Sequence, residues 1–211
     1  MTAVTAYGLT ALGAYLLGSL CFGIIFTRLF AHEDIRSKGS GNAGMTNVLR
    51  SVGLRAGALT GVGDFAKGVA ALVLGRAIFL SAGLDPQTGA YVAAFGALAG
   101  HLFPLYFGFR GGKGVMTSAG ILLVLNPLLL VVLGCVFALV FALSKIVSLA
   151  SLAAALCFPI ANFVACTLSG TERTVSTIVA AAMAALVFWS HRANIRRLAN
   201  GTEKRLEINK K

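Results

Sequence analysis

Seven apolar segments recur along the chain, roughly Val4–Phe30, Ala56–Leu80, Ala90–Phe107, Val115–Leu125, Leu128–Leu143, Leu149–Leu168 and Thr174–Trp189. A run of about 20 apolar residues crosses a bilayer as a helix, because a helix satisfies its own backbone hydrogen bonds in hydrocarbon. With 57% hydrophobic residues in 211, the chain carries more apolar surface than a soluble domain of this size needs. The pattern predicts an all-α integral membrane protein of about seven transmembrane helices, in a single transmembrane domain over residues 1–211. Val115–Leu125 is too short to span at about 1.5 Å per residue, so it reads as a half-helix shielded by neighbours. If that segment re-enters, the crossings number five or six. Asn126-Pro127 breaks the pattern after it. The N-terminus lacks the basic region of a signal peptide, so Val4 onward reads as a retained first helix.

The 18 Lys and Arg outnumber the 7 Asp and Glu, for a formal net charge of +11. In a chain this apolar the excess reads as topology rather than nucleic-acid binding, because cytoplasmic loops collect Lys and Arg. Seven crossings put 15 of the 18 cations on one face, with Arg76 and Arg173 toward the other and Lys67 inside a span. The expected N-terminus is therefore outside and the C-terminus cytoplasmic. Arg192, Arg196, Arg197, Lys204, Arg205, Lys210 and Lys211 form a basic tail suited to an anionic leaflet. The four cysteines, Cys21, Cys135, Cys157 and Cys166, sit in apolar stretches without metal-ligand spacing, so neither a disulfide nor a zinc site is expected.

In this arrangement the distinctive polar stretches all fall on the cytoplasmic side. The stretch Gly100–Gly120 carries Gly111, Gly112, Lys113 and Gly114 just before an apolar helix. Glycines allow a sharp turn and close approach, the helix start offers backbone N–H groups, and the ammonium adds charge. Together these suit a phosphate. The segment is not a Walker A loop, because Gly114 rather than Ser or Thr follows Lys113 and Phe107 holds the earlier glycine position. His101, at the end of an apolar span, is either part of this site or a structural histidine.

The loop Arg36–Arg50 supplies Ser40, Gly41, Asn42, Thr46 and Asn47 as hydrogen-bonding groups and Arg50 as a bidentate clamp for phosphate oxygens. Ser148 and Ser151 share one helical face, for a site or for helix packing. His191 and Asn194 also share a face, just below the membrane among Arg192, Arg196 and Arg197. Asp64 and Lys67 lie inside a span, where ionisable groups are either functional or paired with each other.

Taken together, GSGNAGMTNVLR, GHLFPLYFGFRGGKGV, VSLASL and HRANIRRLANGTE resemble the bacterial acyl-phosphate:glycerol-3-phosphate acyltransferase family, PlsY, in the family's motif order over nearly the whole chain. Met45 and Met116 depart mildly, standing where small residues are usual. The resemblance implies a seven-helix enzyme of the bacterial cytoplasmic (inner) membrane with its active site on the cytoplasmic face. It implies transfer of an acyl group from acyl phosphate to the sn-1 hydroxyl of glycerol 3-phosphate, giving lysophosphatidic acid and phosphate, the first step of phosphatidic acid synthesis. Ser40, Arg50, Lys113 and Ser151 would bind phosphates, and His191 and Asn194 would position glycerol 3-phosphate and its hydroxyl. The partners are then acyl phosphate, glycerol 3-phosphate and membrane lipid, with no nucleic acid, no cofactor, no metal and a monomer as the expected unit.

The residues fit that chemistry independently of the resemblance. Two phosphate-bearing substrates bring roughly three to four negative charges together, which clustered cations and backbone donors can hold. None of His32, His101 and His191 has an aspartate five positions on, so the histidine–aspartate pair of the soluble-type acyltransferases is missing. No Ser-His-Asp set or paired carboxylate offers a strong base. Either a side chain or a substrate phosphate takes the proton. The reading from a different class is a membrane transporter of small organic phosphates, which would also place cations beside broken helices. No internal repeat supports it.

Overall fold

The computed structural model describes residues 1–206, which form helices, turns and loops with no strand among them. Lys210 and Lys211 of the basic tail lie outside the described residues. The helices are α1 (Ala3–Gly18), α2 (Phe22–Ala31), α3 (Met45–Ser51), α4 (Leu54–Ser81), α5 (Pro86–Leu102), α6 (Val115–Leu125), α7 (Pro127–Ser144), α8 (Val147–Ser169), α9 (Thr174–Ser190) and α10 (Arg192–Ala199). Short 3-10 turns cover Ile35–Ser37 and Leu105–Phe107. By internal contacts the chain divides into two compact units, Met1–Leu125 and a second that begins at Asn126.

In the first unit α1 packs on α5 and α4, α4 also packs on α5 and α6, and α3 lies against α4. Small residues let these helices approach closely, which matters where lipid provides no hydrophobic drive for association. A Cβ at Gly18 or Gly100 would overlap the backbone of Ala97 or Tyr15 respectively, so α1 and α5 touch backbone to backbone. The α4–α6 contact is as close at Gly68 and Gly120. Alanines 90, 93, 94 and 97 complete this interior with no exposed surface. Other apolar side chains face outward, among them Val62, Leu80 and Val73.

In the second unit α8 packs against both α7 and α9. Asn162 on α8 donates to Ser176 Oγ and Thr177 Oγ1 on α9, both at 3.2 Å, a polar tie of the kind that membrane helices use. Asn126 caps α7 by accepting from Leu129 N at 3.0 Å, and Pro127 occupies the first helical position. α9 and α10 meet at His191 with a bend of 62°.

Helices stand at all seven expected apolar segments, and α6 has the expected bounds. The first segment is broken at Ser19–Cys21 into α1 and α2. Among the described residues four stretches are long and apolar enough to cross a membrane: Ala3–Ala31, Pro86–Phe107, Pro127–Ser144 and Val147–Ser169. Taking α9 with α10 gives a fifth. α4 has the length, at 28 residues, but carries Arg55, Asp64, Lys67 and Arg76.

Candidate active site

In the first unit the loop before α3 is organised around one buried amide. Asn47 Oδ1 accepts from Ser40 N at 2.9 Å. Asn47 Nδ2 donates to Asn42 O at 2.9 Å, Lys38 O at 3.0 Å and, more distantly, Ile35 O at 3.4 Å. The chain thus wraps around this side chain, with Gly39 and Gly41 taking positive φ of 57° and 69°. The result presents Ser40 and Gly41 at the surface. Asn47 is a candidate for contact with a ligand phosphate; in this structure its amide is engaged by the loop itself. Asn42 Oδ1 is likewise turned inward, accepting from Gly44 N at 3.0 Å. Thr46 and Arg50 fall on α3, a helix within the stretch Arg36–Arg50 that the sequence pattern presents as a loop. Met45, the larger residue where a small one is usual, lies with its sulfur over Gly61 of α4.

Arg36 pins the base of this loop to the next one. Its Nη2 meets Asp34 Oδ2 at 2.7 Å, its Nε meets Asp34 Oδ1 at 3.0 Å, and its Nη1 donates to Phe107 O at 2.5 Å. The hydrogen bond from Arg36 holds the Asp34 carboxyl down at about 2. Arg28, Arg36, Ser37, Tyr106 and Arg110 line a cavity of about 700 Å³ beside it.

The second loop folds back onto the end of α5. Gly111 N donates to Leu102 O at 3.2 Å and Gly112 N to His101 O at 3.1 Å. Gly111 and Gly112 lie so close to His101 that a Cβ at either would overlap its carbonyl or its imidazole. Gly114 has φ of 81° and sits on Leu98, then its carbonyl accepts from Ser118 N at 2.7 Å to open α6. The half-buried Lys113 is held between these two fixed glycines. The first N–H groups of a helix have no partner within it, and here they follow Lys113 directly. His101, buried at 3% exposure, is within 3.2 Å of Thr117 Oγ1.

The second unit holds Ser148, Ser151, His191 and Asn194, all buried. Ser148 Oγ donates to Glu203 Oε1 at 2.8 Å, and Asn194 Nδ2 donates to the same oxygen at 2.6 Å. Arg197 Nε pairs with Glu203 Oε2 at 2.5 Å. Ser151 stays out of this cluster, donating to Val147 O of its own helix at 2.9 Å. His191 Nδ1 lies 2.8 Å from Val187 O, an acceptor only, so Nδ1 carries the proton. Asn194 Oδ1 is buried with no hydrogen-bond partner among the described residues. Burial pushes the Glu203 carboxyl up, but the hydrogen bonds from Ser148, Arg197 and Asn194 and the Arg197 charge outweigh it and hold the group below the usual range.

A protein-family model described as glycerol-3-phosphate acyltransferase matches residues 8–201. The chain belongs to the glycerol-3-phosphate acyltransferase family. It is 42% identical to a glycerol-3-phosphate acyltransferase of Clostridioides difficile, over 96% of this chain and 97% of that one. It is 43% identical to another from a Jannaschia species, over 97% and 95% of the two chains. Among solved structures it is similar to PlsY, an integral membrane glycerol 3-phosphate acyltransferase, in its glycerol 3-phosphate form. That likeness has a TM-score of 0.81 at 32% identity, covering 95% of this chain and 96% of the other. The lysophosphatidic acid form of the same enzyme gives a TM-score of 0.78.

The family's motifs therefore run through residues that this structure organises into a glycine loop, a serine–asparagine loop and a Ser148–Asn194–Glu203 cluster. Glu203 is a site residue that sequence reasoning missed, although it is the one acid of the stretch from Ser190 to Leu206, among five cations, Arg192, Arg196, Arg197, Lys204 and Arg205; Leu206 N, beyond it, donates to Lys145 O at 2.7 Å. A single acid in such a run is the signal. Among the described residues no group of three or more His, Cys, Asp and Glu could hold a metal ion.

Proposed function

We propose that this chain transfers an acyl group from an acyl phosphate to the sn-1 hydroxyl of glycerol 3-phosphate. The hydroxyl oxygen attacks the acyl carbonyl carbon, the carbon–oxygen bond to phosphate breaks, and lysophosphatidic acid and inorganic phosphate leave. The observation that carries this reading is the likeness to an enzyme known in both glycerol 3-phosphate and lysophosphatidic acid forms. Acyl phosphate is already activated, and the departing phosphate can accept the hydroxyl proton, so no strong base is required.

In the first unit, Lys113 and the backbone N–H groups that open α6 receive a substrate phosphate, the Gly111 and Gly112 N–H groups being spent on Leu102 O and His101 O, with Ser40, Thr46 and Arg50 serving the same charge from the other loop. In the second, the unpartnered Asn194 Oδ1 is an acceptor for a substrate hydroxyl. With the His191 Nδ1 proton directed at Val187 O, Nε2 is the ring nitrogen that positions the glycerol 3-phosphate hydroxyl. Ser148 and Ser151 donate internally and keep lone pairs for neighbouring groups. We read a single transmembrane domain over residues 1–211 with seven crossings, α1 with α2 counted as one and α6 among them. The N-terminus lies outside, and the active site and C-terminus lie on the cytoplasmic face of a bacterial inner membrane. The cation distribution favours that orientation.

The test is turnover of labelled glycerol 3-phosphate by purified protein with palmitoyl phosphate and then palmitoyl-CoA, each with and without a chelator. Equal yields of lysophosphatidate and phosphate are expected with palmitoyl phosphate alone as donor, unchanged by chelation. Comparable turnover of the CoA ester overturns the donor, and loss on chelation overturns the metal-free site.

A further inference from the structure

The first unit buries an ionic cluster that the reaction above leaves unused. Asp64, Lys67 and His101 are 2%, 3% and 3% exposed. Lys67 Nζ lies 2.8 Å from Asp64 Oδ1 and donates to Leu20 O at 2.7 Å, in the break between α1 and α2. The same Asp64 oxygen is 3.5 Å from His101 Nδ1. Ionisable groups inside a membrane protein are costly, and a buried ion pair is weak evidence for stability by itself. What the cluster touches is therefore informative.

The His101 imidazole fills the space where a side chain at Gly112 would stand. Its Nδ1 is also 3.2 Å from Thr117 Oγ1, in the first turn of α6. One ring thus contacts the backbone just before Lys113 and the helix that starts just after it. Asp64 lies against that ring, and Lys67 ties Asp64 to the α1–α2 break. A lone Asp64–Lys67 pair on α4 would need neither contact.

We propose that Asp64, Lys67 and His101 are positioning residues for the phosphate-binding loop, holding Gly112 and the start of α6, and through them Lys113, in the shape that receives a substrate phosphate. This rests on the reading of Gly111–Gly114 as that phosphate site. His101 acts through the Gly112 backbone and Thr117. Asp64 orients the imidazole. Lys67 neutralises Asp64 and anchors it. A loop that is displaced by even 1 Å loses contacts made to the phosphate in both ground and transition states, which raises KM more than it lowers kcat.

The experiment is a double-mutant cycle on full-length purified protein, using Gly112→Ala, His101→Ala and the pair, assayed with palmitoyl phosphate and glycerol 3-phosphate. Each single change is expected to raise KM for one phosphate-bearing substrate about tenfold, with a smaller change in kcat. The pair is expected to be no worse than the poorer single variant, because the vacated imidazole space accepts the added methyl group; such non-additivity marks residues that act through each other. Thr117→Val, which removes only the hydroxyl, serves if His101→Ala does not fold. It is expected to raise the same KM, and Thr117→Ser to restore it. Losses that multiply in the pair, or Thr117→Val and His101→Ala proteins with lowered Tm but unchanged KM, overturn the proposal. Lys113→Ala run alongside separates the two readings. Normal kinetics in Lys113→Ala remove the phosphate site itself, whereas impaired Lys113→Ala with multiplying Gly112 and His101 losses removes only the positioning.

Discussion

Ser148 at the start of α8 and Glu203 beyond α10 are joined by a 2.8 Å hydrogen bond across 55 residues of sequence. The carboxylate also takes the Asn194 amide and the Arg197 guanidinium, and its side chain is only 7% exposed. It therefore fixes the turn that carries His191 and Asn194 relative to α8. Glu203→Ala would leave three donors without an acceptor. Unsatisfied buried groups cost about 1–3 kcal/mol each, less where they reach water as Arg197 does. The expected outcome is a lower Tm in detergent together with lost turnover, and Glu203→Gln should keep part of both. A Glu203→Ala protein with unchanged Tm and activity would show that the cluster is incidental.

The same carboxylate sets an acid limit. Its folded pKa lies below the ordinary Glu value of 4.5, so its contribution is full above that value and is lost as pH falls through the folded pKa. Asp34 behaves alike, with its contribution lost between its ordinary 3.8 and about 2. Thermal midpoints measured from neutral to acid pH should fall below about pH 4.5, and the fall should be shallower in Glu203→Gln. An identical slope in that variant would place the acid sensitivity elsewhere.

Which of these features could be read from the sequence follows from the range over which each is decided. The apolar segments were legible because a bilayer demands length and hydrophobicity from every span on its own. The α7 start was legible because Asn126 and Pro127 act locally. The break at Leu20 was not, since an unbroken apolar run covers it and Lys67, 47 residues away, binds the carbonyl in the gap. Asn47 looked like a ligand donor because its type and neighbours suit phosphate. Only folding shows that three carbonyls already take its amide. His101 and Glu203 gain their meaning from Gly112 and Ser148, contacts that no local window contains.

Asn47 offers a test of that distinction. Asn47→Ala removes the centre of the loop and exposes Ser40 N, Lys38 O and Asn42 O to new partners, whereas Ser40→Ala removes one surface hydroxyl. Asn47→Ala should lower stability by about 1–3 kcal/mol and make residues 36–44 a site of protease cleavage. Ser40→Ala should leave cleavage unchanged and raise KM alone. Equal protease resistance in both variants would return Asn47 to the ligand.

The orientation is tested by thiol labelling in a background without Cys21, Cys135, Cys157 and Cys166. Cysteines placed at Ser40 and Gly201, both exposed, should react with an impermeant reagent only in inside-out vesicles. A cysteine at Gln87, just after the Asp85 cap of α5, should react from the outside. Labelling of the Ser40 and Gln87 positions from one side would overturn the seven-crossing arrangement.

Lys113 carries the most direct prediction about the chemistry. It is the one cation in the run Gly111–Gly114, set between Gly112 packed on His101 and Gly114 at φ of 81°. That backbone depends on the glycines rather than on the lysine, so Lys113→Ala should fold, insert and purify normally. Losing one charge-assisted contact to phosphate costs about 1.5–3 kcal/mol, or roughly 10- to 150-fold in kcat/KM. A larger loss, falling mainly on kcat, would mean that the ammonium meets charge developing as phosphate departs. Steady-state kinetics with both substrates varied distinguish the two cases. Lys113→Ala protein with wild-type kcat and KM would take Lys113, and with it the glycine loop, out of the active site.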